Sequence, residues 1–262
     1  MPRRRADTLL AERGLSPSRT AAAQSVRAGR VRLGADGPRV AKPSELLPAD
    51  AELVLEGGRE FVSRGGTKLE NALRALPVEV EGRSCLDVGA STGGFTHCLL
   101  RRGAASVIAL DVGYGQLDLS LRSDERVTVM ERFNARDLAP GVLPFEPDLV
   151  TVDASFISLT KLIAPIAAAI PGELDLLAMV KPQFELGPER VGRGGVVRAA
   201  AARRDALRAV AAAMAETGLA VRGLASSGLP GPKGNRETFI WASRGGDALD
   251  DLEGALAEVE EA

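Results

Sequence analysis

Histidine is nearly missing from this 262-residue chain: His97 is the single one, and cysteine occurs only as Cys85 and Cys98. His97 follows a glycine-rich turn inside a predicted helix and reads as a packing residue, which leaves histidine-based hydrolysis without a base. The two cysteines fall in a predicted strand and the helix after it. They have no metal-ligand spacing and read as reduced core residues, so no metal is expected. Long hydrophobic runs are also absent. The longest, 162–170, is broken by Pro165 and followed by Pro171, Glu173 and Asp175, well short of the roughly 20 residues a membrane helix requires. The opening MPRRRADTLLAERG is basic but has no apolar h-region. No secretory signal or membrane partner is expected, and the reading is cytoplasmic.

A strong net charge is missing too, at −2 overall, but the distribution is uneven. Residues 1–47 carry ten Lys/Arg against four acids, whereas 247–262 hold seven acids and no base. A basic N-terminal module and an acidic tail are hidden in the average. The tail, 245–262, is expected to be solvated and disordered. With 45% hydrophobic residues, the rest suffices for one large α/β domain beside a small module.

The first 58 residues form that module. RRRADTLLAERG begins a helix with Leu9 and Leu10 inward, and Ser16-Pro17-Ser18 resets the chain as an N-cap for a second helix reaching Arg27. Gly29 stops it, and VRLG, RVAK and ELVLEG read as short strands between Gly and Pro turns. Arg3, Arg4 and Arg5 at the entry, with Arg19, Arg27 and Arg30 on or just past the second helix, suit phosphate contacts, which need charge but no base code. Residues 59–82 form a joint and a helix. Ser63 is placed to cap that helix, Leu69, Ala72, Leu73 and Leu76 recur at helical spacing, and Pro77 ends it. Lys68 lies in its early turns behind Gly65 and Gly66.

From 83 to 244 apolar runs alternate with amphipathic segments. Strands are predicted at 84–88, 105–111, 127–131, 148–153, 174–180, 219–226 and 236–243, with helices at 94–101, 158–169 and 199–217. This pattern indicates a largely parallel, doubly wound sheet, whose ligands bind outside the carboxyl ends of the strands. Asp87, Asp111, Asp153 and Lys181 all fall at or just past strand ends, and Glu237 begins the last strand. The turn DVGASTGGF is not the dinucleotide fingerprint GxGxxG. Its acid, Asp87, suits a cationic amino-acid group. Gly89, Ser91, Gly93, Gly94 and Phe95 continue the loop, the glycines letting the main chain close on a ligand. Asp111 is placed to accept two ribose hydroxyl bonds. Asn134, in ERFNARD, either bonds an adenine edge or simply makes a turn. Loop 186–197, with Arg190 and Arg193, either closes over RNA or is a mobile surface loop.

A ribose hydroxyl is a poor nucleophile at neutral pH and needs a base or a cation for its developing alkoxide. Lys181 is the candidate for that task. Lys68 as a like-charged neighbour would favour its neutral form, Asp153 its charged form, while Glu237 would hold the lysine pair and the sugar. Neutral base and permanent cation remain separate options.

Residues 3–34 resemble the S4 RNA-binding domain, through Arg5, Asp7 and Leu10, then Ser18-Arg19, then GRVRLG. CLDVGASTGGFT, together with Lys68, Asp153, Lys181 and Glu237, resembles S-adenosylmethionine-dependent methyltransferases of the FtsJ/RrmJ class. From Arg3 to Trp241, with VSRGGTKL, DVGYGQL, SFISL, VKPQFE and LPGPKGNRE, the chain is similar to the TlyA family, which joins the two. Phe61 stands where that family commonly has tryptophan. The resemblance implies a Rossmann-like class I methyltransferase sheet behind a small α+β module. It also implies S-adenosylmethionine as cofactor, and methylation of a cytidine ribose 2′-OH in ribosomal RNA of one or both subunits. Proteins of this kind have also been described as haemolysins. A membrane-active role would need an apolar or strongly amphipathic segment. A non-catalytic RNA-binding assembly role would not need all four site positions filled.

Overall fold

The computed structural model describes residues 3–55 and 60–261, in two compact units, Met1–Glu60 and Phe61–Ala262. In the first unit, β1 (Arg3–Arg5) leads into α1 (Ala6–Glu12) and α2 (Arg19–Arg27). Then come β2 (Val31–Leu33), β3 (Leu46–Pro48) and β4 (Leu53–Leu55). β1 pairs antiparallel with β3, and β2 with β4. Ala6, Leu9, Leu10, Ala22, Val26, Val31, Val40, Leu47 and Leu53 make its core. Ser18, read as the first residue of the second helix with Pro17 just inside its cap, is itself the cap of α2, its Oγ accepting from the Ala21 N–H at 3.2 Å.

Two local expectations are corrected here, and one falls outside the described residues. The arginine run is a strand rather than the first helical turn, because its partner β3 lies beyond the reach of a local pattern. RVAK yields only an isolated bridge, Arg32 to Arg39, since Pro38 and Pro43 on either side donate no ladder hydrogen bonds. Gly57, the end of the ELVLEG segment, and Arg59 at the joint lie outside the described residues.

The second unit opens with α3 (Arg64–Ala75), capped by Ser63. Its alternation runs β5 (Ser84–Val88), α4 (Gly94–Arg101), β6 (Ser106–Asp111), the short α5 (Leu119–Arg122), β7 (Val127–Glu131), β8 (Leu149–Val152) and α6 (Ile163–Ala169). After these come β9 (Asp175–Val180), the single turn α7 (Pro182–Glu185), α8 (Ala200–Glu216), β10 (Leu219–Ser226), β11 (Thr238–Arg244) and α9 (Leu252–Glu261). Among the described residues these strands form a seven-stranded sheet in the order β10-β11-β9-β8-β5-β6-β7. The five strands from β9 to β7 run parallel; β11 is antiparallel to β9, and β10 to β11.

The inner strands are buried on both faces, and their alternation sorts them into two cores. Leu86, Val88, Ile108, Leu110, Val150, Val152, Leu176 and Ala178 pack with α6 and α8. Cys85, Val107, Ala109, Leu149, Leu177 and Met179 face α3 and α4. Both cysteines are buried and neither forms a disulfide, and burial pushes the Cys85 thiol up to about 12. Chain order reverses between β5 and β8, the topological switch point at which such sheets bind ligands. No helix among the described residues is long and apolar enough to cross a membrane.

The acidic tail is not free, contrary to expectation. Leu256 of α9 is fully buried in the α8-side core. Arg203 pairs with Glu260, Arg208 with Glu253 at 2.6 Å, and the Arg236 guanidinium donates to the Glu260 carbonyl at 2.6 Å. Two of the tail's seven acids are therefore paired with arginines that sequence spacing did not connect to it. Glu260→Ala leaves Arg203 with only the Val197 and Arg198 carbonyls. It should cost of the order of 2–3 kcal/mol in urea unfolding, less than for a fully buried pair. An unchanged midpoint would mean that α9 does not dock.

Candidate active site

Each proposed site residue reaches the same sheet edge by a different route. Asp111 ends β6, Asp153 and Lys181 follow β8 and β9, and the glycine loop follows β5. β11 runs the other way, so its start lies at this edge: Thr238 pairs with Val180, which sets Glu237 beside Lys181. Lys68 comes from α3, on the same side of the sheet as α4.

The four polar residues form two ion pairs. Lys181 Nζ lies 2.5 Å from Asp153 Oδ1 and donates to Ser155 Oγ at 2.9 Å. Lys68 pairs with Glu237. Lys68, Lys181 and Glu237 are buried, at 7%, 7% and 3% exposure, a depth at which charges persist only when paired. The expectation that Glu237 holds both lysines is corrected, because Asp153 and Ser155 take Lys181.

Two cavities meet at this edge. One, of about 860 Å³, includes Gly89, Ser91, Asp111, Val112, Asn134 and Asp153 in its walls. The other, of about 580 Å³, is lined by all four of Lys68, Asp153, Lys181 and Glu237, with Lys233 and Asn235. Gly89, Ser91, Asp153, Ser155, Phe156, Gln183 and Phe184 border both. Ser155, Phe156, Gln183 and Asn235 were missed as site residues, although SFISL, VKPQFE and GNRE contain them. Phe156 is 91% exposed at φ +65°, with its ring 5.3 Å from Phe184. A bulky residue in the left-handed region is strained and marks a functional site more often than a packing one. The Gln183 amide oxygen is buried with no hydrogen-bond partner among the described residues. Asn235 ties loop 186–197 to the site: its Oδ1 accepts from Val197 N–H at 2.9 Å and its amide donates to the Gly195 carbonyl at 2.7 Å. Arg190 in that loop pairs with Asp205 at 2.5 Å. The Arg193 side chain lies outside the described residues.

The glycine loop divides into residues that face the cavity and residues that build it. Gly89, at φ +84°, approaches the Asp153 carbonyl so closely that a Cβ would sit 2.6 Å from it. Asp111 accepts from the Ser91 N–H at 2.8 Å and the Gly113 N–H at 2.7 Å while lining the larger cavity. Asn134 both lines that cavity and caps a turn, accepting from Arg136 N–H at 3.1 Å. Gly93 is a packing residue instead: at φ +91°, its Cβ would meet Leu121 at 2.2 Å. Gly94 lets the start of α4 pass Ser63, whose Oγ would lie 2.1 Å from a Cβ. Phe95 is buried against Phe239. Gly94 and Phe95 border only a small side cavity of about 120 Å³, beside Ser63 and Lys68. His97 packs as expected, Nδ1 accepting from the Val62 N–H at 3.2 Å beside Phe61.

The basic residues of the first unit are placed variously. Arg3 and Arg27 are exposed. Arg4 pairs with Glu12 at 2.8 Å, Arg5 and Arg19 pair with Asp7, and Arg30 donates to Ser25 Oγ at 3.0 Å.

Asp87 departs most from expectation. It does not line either large cavity. Fully buried, its Oδ2 accepts from the Thr96 N–H at 2.8 Å and the Thr96 hydroxyl at 2.6 Å, which fixes the first turn of α4. Its Oδ1 has no partner among the described residues, nor has the hydroxyl of Thr151, its register neighbour on β8. Burial, reinforced by Asp153 and Asp111 and opposed by Thr96, pushes the carboxyl up to about 7. An acid whose native value lies above its unfolded value of about 4 destabilises the fold progressively as pH rises through that window. Asp87→Asn should therefore match the wild type near pH 4. By about pH 8 it should exceed wild-type stability by roughly 1–4 kcal/mol in urea unfolding. Equal stability of the two proteins at both pH values would refute a neutral buried Asp87.

Known proteins resemble this chain over most of its length. The FtsJ-like methyltransferase family matches residues 61–244. The chain is 47% identical over 241 residues to "16S/23S rRNA (cytidine-2'-O)-methyltransferase TlyA" of Mycobacterium tuberculosis, covering 91% of this chain and 89% of that protein. "Hemolysin A" of Brachyspira hyodysenteriae is 37% identical, over 89% of this chain and 97% of its own. A solved structure of a haemolysin-named protein from Streptococcus thermophilus, 38% identical, superposes with a TM-score of 0.75 over 100% of this chain and 95% of the other. With its seven-stranded sheet and paired lysine–carboxylate edge, the chain belongs to the FtsJ-like methyltransferases and, within them, to the TlyA family.

Proposed function

We propose that this methyltransferase transfers a methyl group from S-adenosylmethionine to the 2′-hydroxyl of a cytidine in ribosomal RNA of the small subunit, the large subunit or both. The observation that carries the reading is the pair of adjoining cavities with the Lys181–Asp153–Ser155 cluster on their boundary. Adjoining cavities can bring two reactants together, and positioning accounts for much of the rate of such a transfer. The TlyA relatives named for this reaction support the choice of substrate. A ribosomal substrate would put the enzyme in the cytoplasm.

The larger cavity suits the cofactor. Its volume falls in the range of small-molecule sites. Gly89 brings its loop against the Asp153 carbonyl, where any Cβ would clash, and so sets one wall of this cavity. Asp111 offers carboxylate lone pairs to a ribose diol, and Asn134 offers an amide to an adenine edge. Asp87 would act through the loop, and its unpartnered carboxyl oxygen would favour a cationic ligand nearby. When bound, S-adenosylmethionine supplies an electrophilic methyl on a sulfonium.

The chain's own residues supply the rest. Lys181 would meet the 2′-hydroxyl with its ammonium aimed by Asp153 and Ser155. As a neutral amine it takes the hydroxyl proton; as a cation it stabilises the alkoxide while the proton leaves to water. Lys68, neutralised by Glu237, adds a second donor in the same cavity. The exposed Phe156 presents an aromatic face at the mouth, suited to stacking an unpaired base. In the first unit, Arg3, Arg4, Arg5, Arg19, Arg27 and Arg30 would hold phosphates as an S4-like module.

Asp111→Ala should weaken S-adenosylmethionine binding by about 10- to 150-fold in titration calorimetry, the equivalent of a lost charge-assisted bond of roughly 1.5–3 kcal/mol. Unchanged affinity in a folded variant would move the cofactor elsewhere. Lys181→Ala should retain cofactor and RNA affinity within a few-fold while losing methyl transfer by a factor on the order of 10² or more, measured with labelled cofactor and separated subunits. Lys181→Arg keeps the charge but is no base at neutral pH, so its activity separates the two roles. Near-normal turnover in the Ala variant would remove Lys181 from the mechanism.

A further inference from the structure

The motif residue Asp7 takes no part in the reaction described, yet it is the one acid gripped by two of the arginines assigned to RNA. It lies in the first turn of α1 at 3% exposure. Arg5 donates to it through Nε at 2.9 Å and Nη2 at 2.7 Å, a bidentate fork, and Arg19 Nε lies 3.4 Å from the same Oδ2. Thr8 Oγ1 adds a contact at 3.3 Å to Oδ1. The Arg5 hydrogen bonds, aided by Arg19, hold the Asp7 carboxyl down at about 2, so it is ionised throughout the neutral range. Arg5 and Arg19 nevertheless keep 41% and 59% of their side-chain surface exposed.

The arrangement compensates a buried acid, and its geometry goes beyond that. One buried acid is shared by two arginines that reach it from separate elements, β1 and the start of α2. A guanidinium has five N–H donors, and the fork to Asp7 uses two of those on Arg5. The remaining donors belong to side chains that stay substantially exposed, and the local balance of two cations on one anion stays positive. Arg3, two residues before Arg5 and thus on the same face of β1, adds an exposed cation.

We infer that Asp7 is a positioning residue for RNA capture, clamping Arg5 and Arg19 side by side so that their outward N–H groups present one preformed site for RNA phosphate. This rests on the reading of the first unit as the RNA-binding module. Without the clamp, each arginine must be ordered when RNA binds, a cost of about threefold or more in affinity per side chain. Bidentate phosphate recognition also depends on the orientation of the fork.

The clamp gives an expectation opposite in sign to simple electrostatics. Removing an acid from a basic surface should strengthen RNA binding if charge alone matters. With a clamp, Asp7→Asn should bind purified ribosomal subunits about fivefold or more weakly in a filter assay, with a shallower dependence on KCl. Arg5→Ala and Arg19→Ala should each weaken binding, and adding Asp7→Asn to that double variant should cause no further loss. If the arginine variants weaken binding while Asp7→Asn binds as well as the wild type or better, the clamp is wrong and the RNA-binding surface stands. The clamp is equally wrong if Asp7→Asn costs the same in the double-variant background, since that is general destabilisation. If neither arginine variant changes binding, the surface reading fails and the clamp with it. Should Asp7→Asn melt the unit, Arg5→Lys decides: it keeps the charge at an exposed side chain but breaks the fork. It should lose affinity severalfold under the clamp, and unchanged binding would overturn it.

Discussion

At the turn after β5, the main chain of Gly89 comes so close to the Asp153 carbonyl, at the end of β8, that even a methyl group would collide with it. Much else in the methyltransferase unit follows from that contact. It brings together the ends of the two strands that flank the switch point. It puts Gly89 and Asp153, with Ser91, Ser155, Phe156, Gln183 and Phe184, on the wall common to both cavities. On one side of this wall Asp111 is held by the Ser91 and Gly113 amides; on the other, Asp153 meets Lys181. A side chain at position 89 would force those strand ends apart and separate the two halves of the proposed reaction. Glycine there answers a demand for close approach as well as for positive φ.

The second constraint is electrostatic. Two lysines and two carboxylates share one edge of the sheet, and the pairing Lys181–Asp153 and Lys68–Glu237 makes the group neutral before any ligand arrives. Removing one member would leave its partner uncompensated at a depth where that is costly. The same rule operates away from the site. Asp7 is buried under two arginines, and Glu260 is docked by Arg203. Asp87, lacking a cation, is pushed toward its neutral form. Across the chain, a carboxylate out of water either finds a guanidinium or ammonium or tends to keep its proton.

Those pairings also explain the uneven charge. The acidic C-terminal segment meets arginines of α8 and the β10–β11 loop, so its apolar residues can dock against the α8-side core. In the first unit the basic residues are partly tied to acids and partly exposed, which leaves a surface that is both ordered and cationic. Net charge alone conveys neither arrangement.

Much of the fold was legible from local pattern. The strand at 219–226 and the helix at 94–101 match their predicted bounds. Ser63 caps the helix it was expected to cap, because capping depends on neighbours two or three residues away. The site edge was legible too, since polar residues at the ends of apolar strands in an α/β alternation must collect on one side. What spacing could not supply was partnership across distance. Which lysine pairs with which acid was set by the antiparallel entry of β11, which brings Glu237 beside the end of β9. That Asp87 turns beneath its loop to hold Thr96, and that Gly93 serves packing, was decided by α4 and by Leu121 pressing on the turn. The short strands β1 and β3 and the docking of α9 were hidden for the same reason: their stability comes from residues tens of positions away. Amino-acid order alone determined the periodicities, the caps and the residue types at the sheet edge. Tertiary structure decided their partners, because ion pairs and close main-chain contacts depend on distances in space that only packing creates.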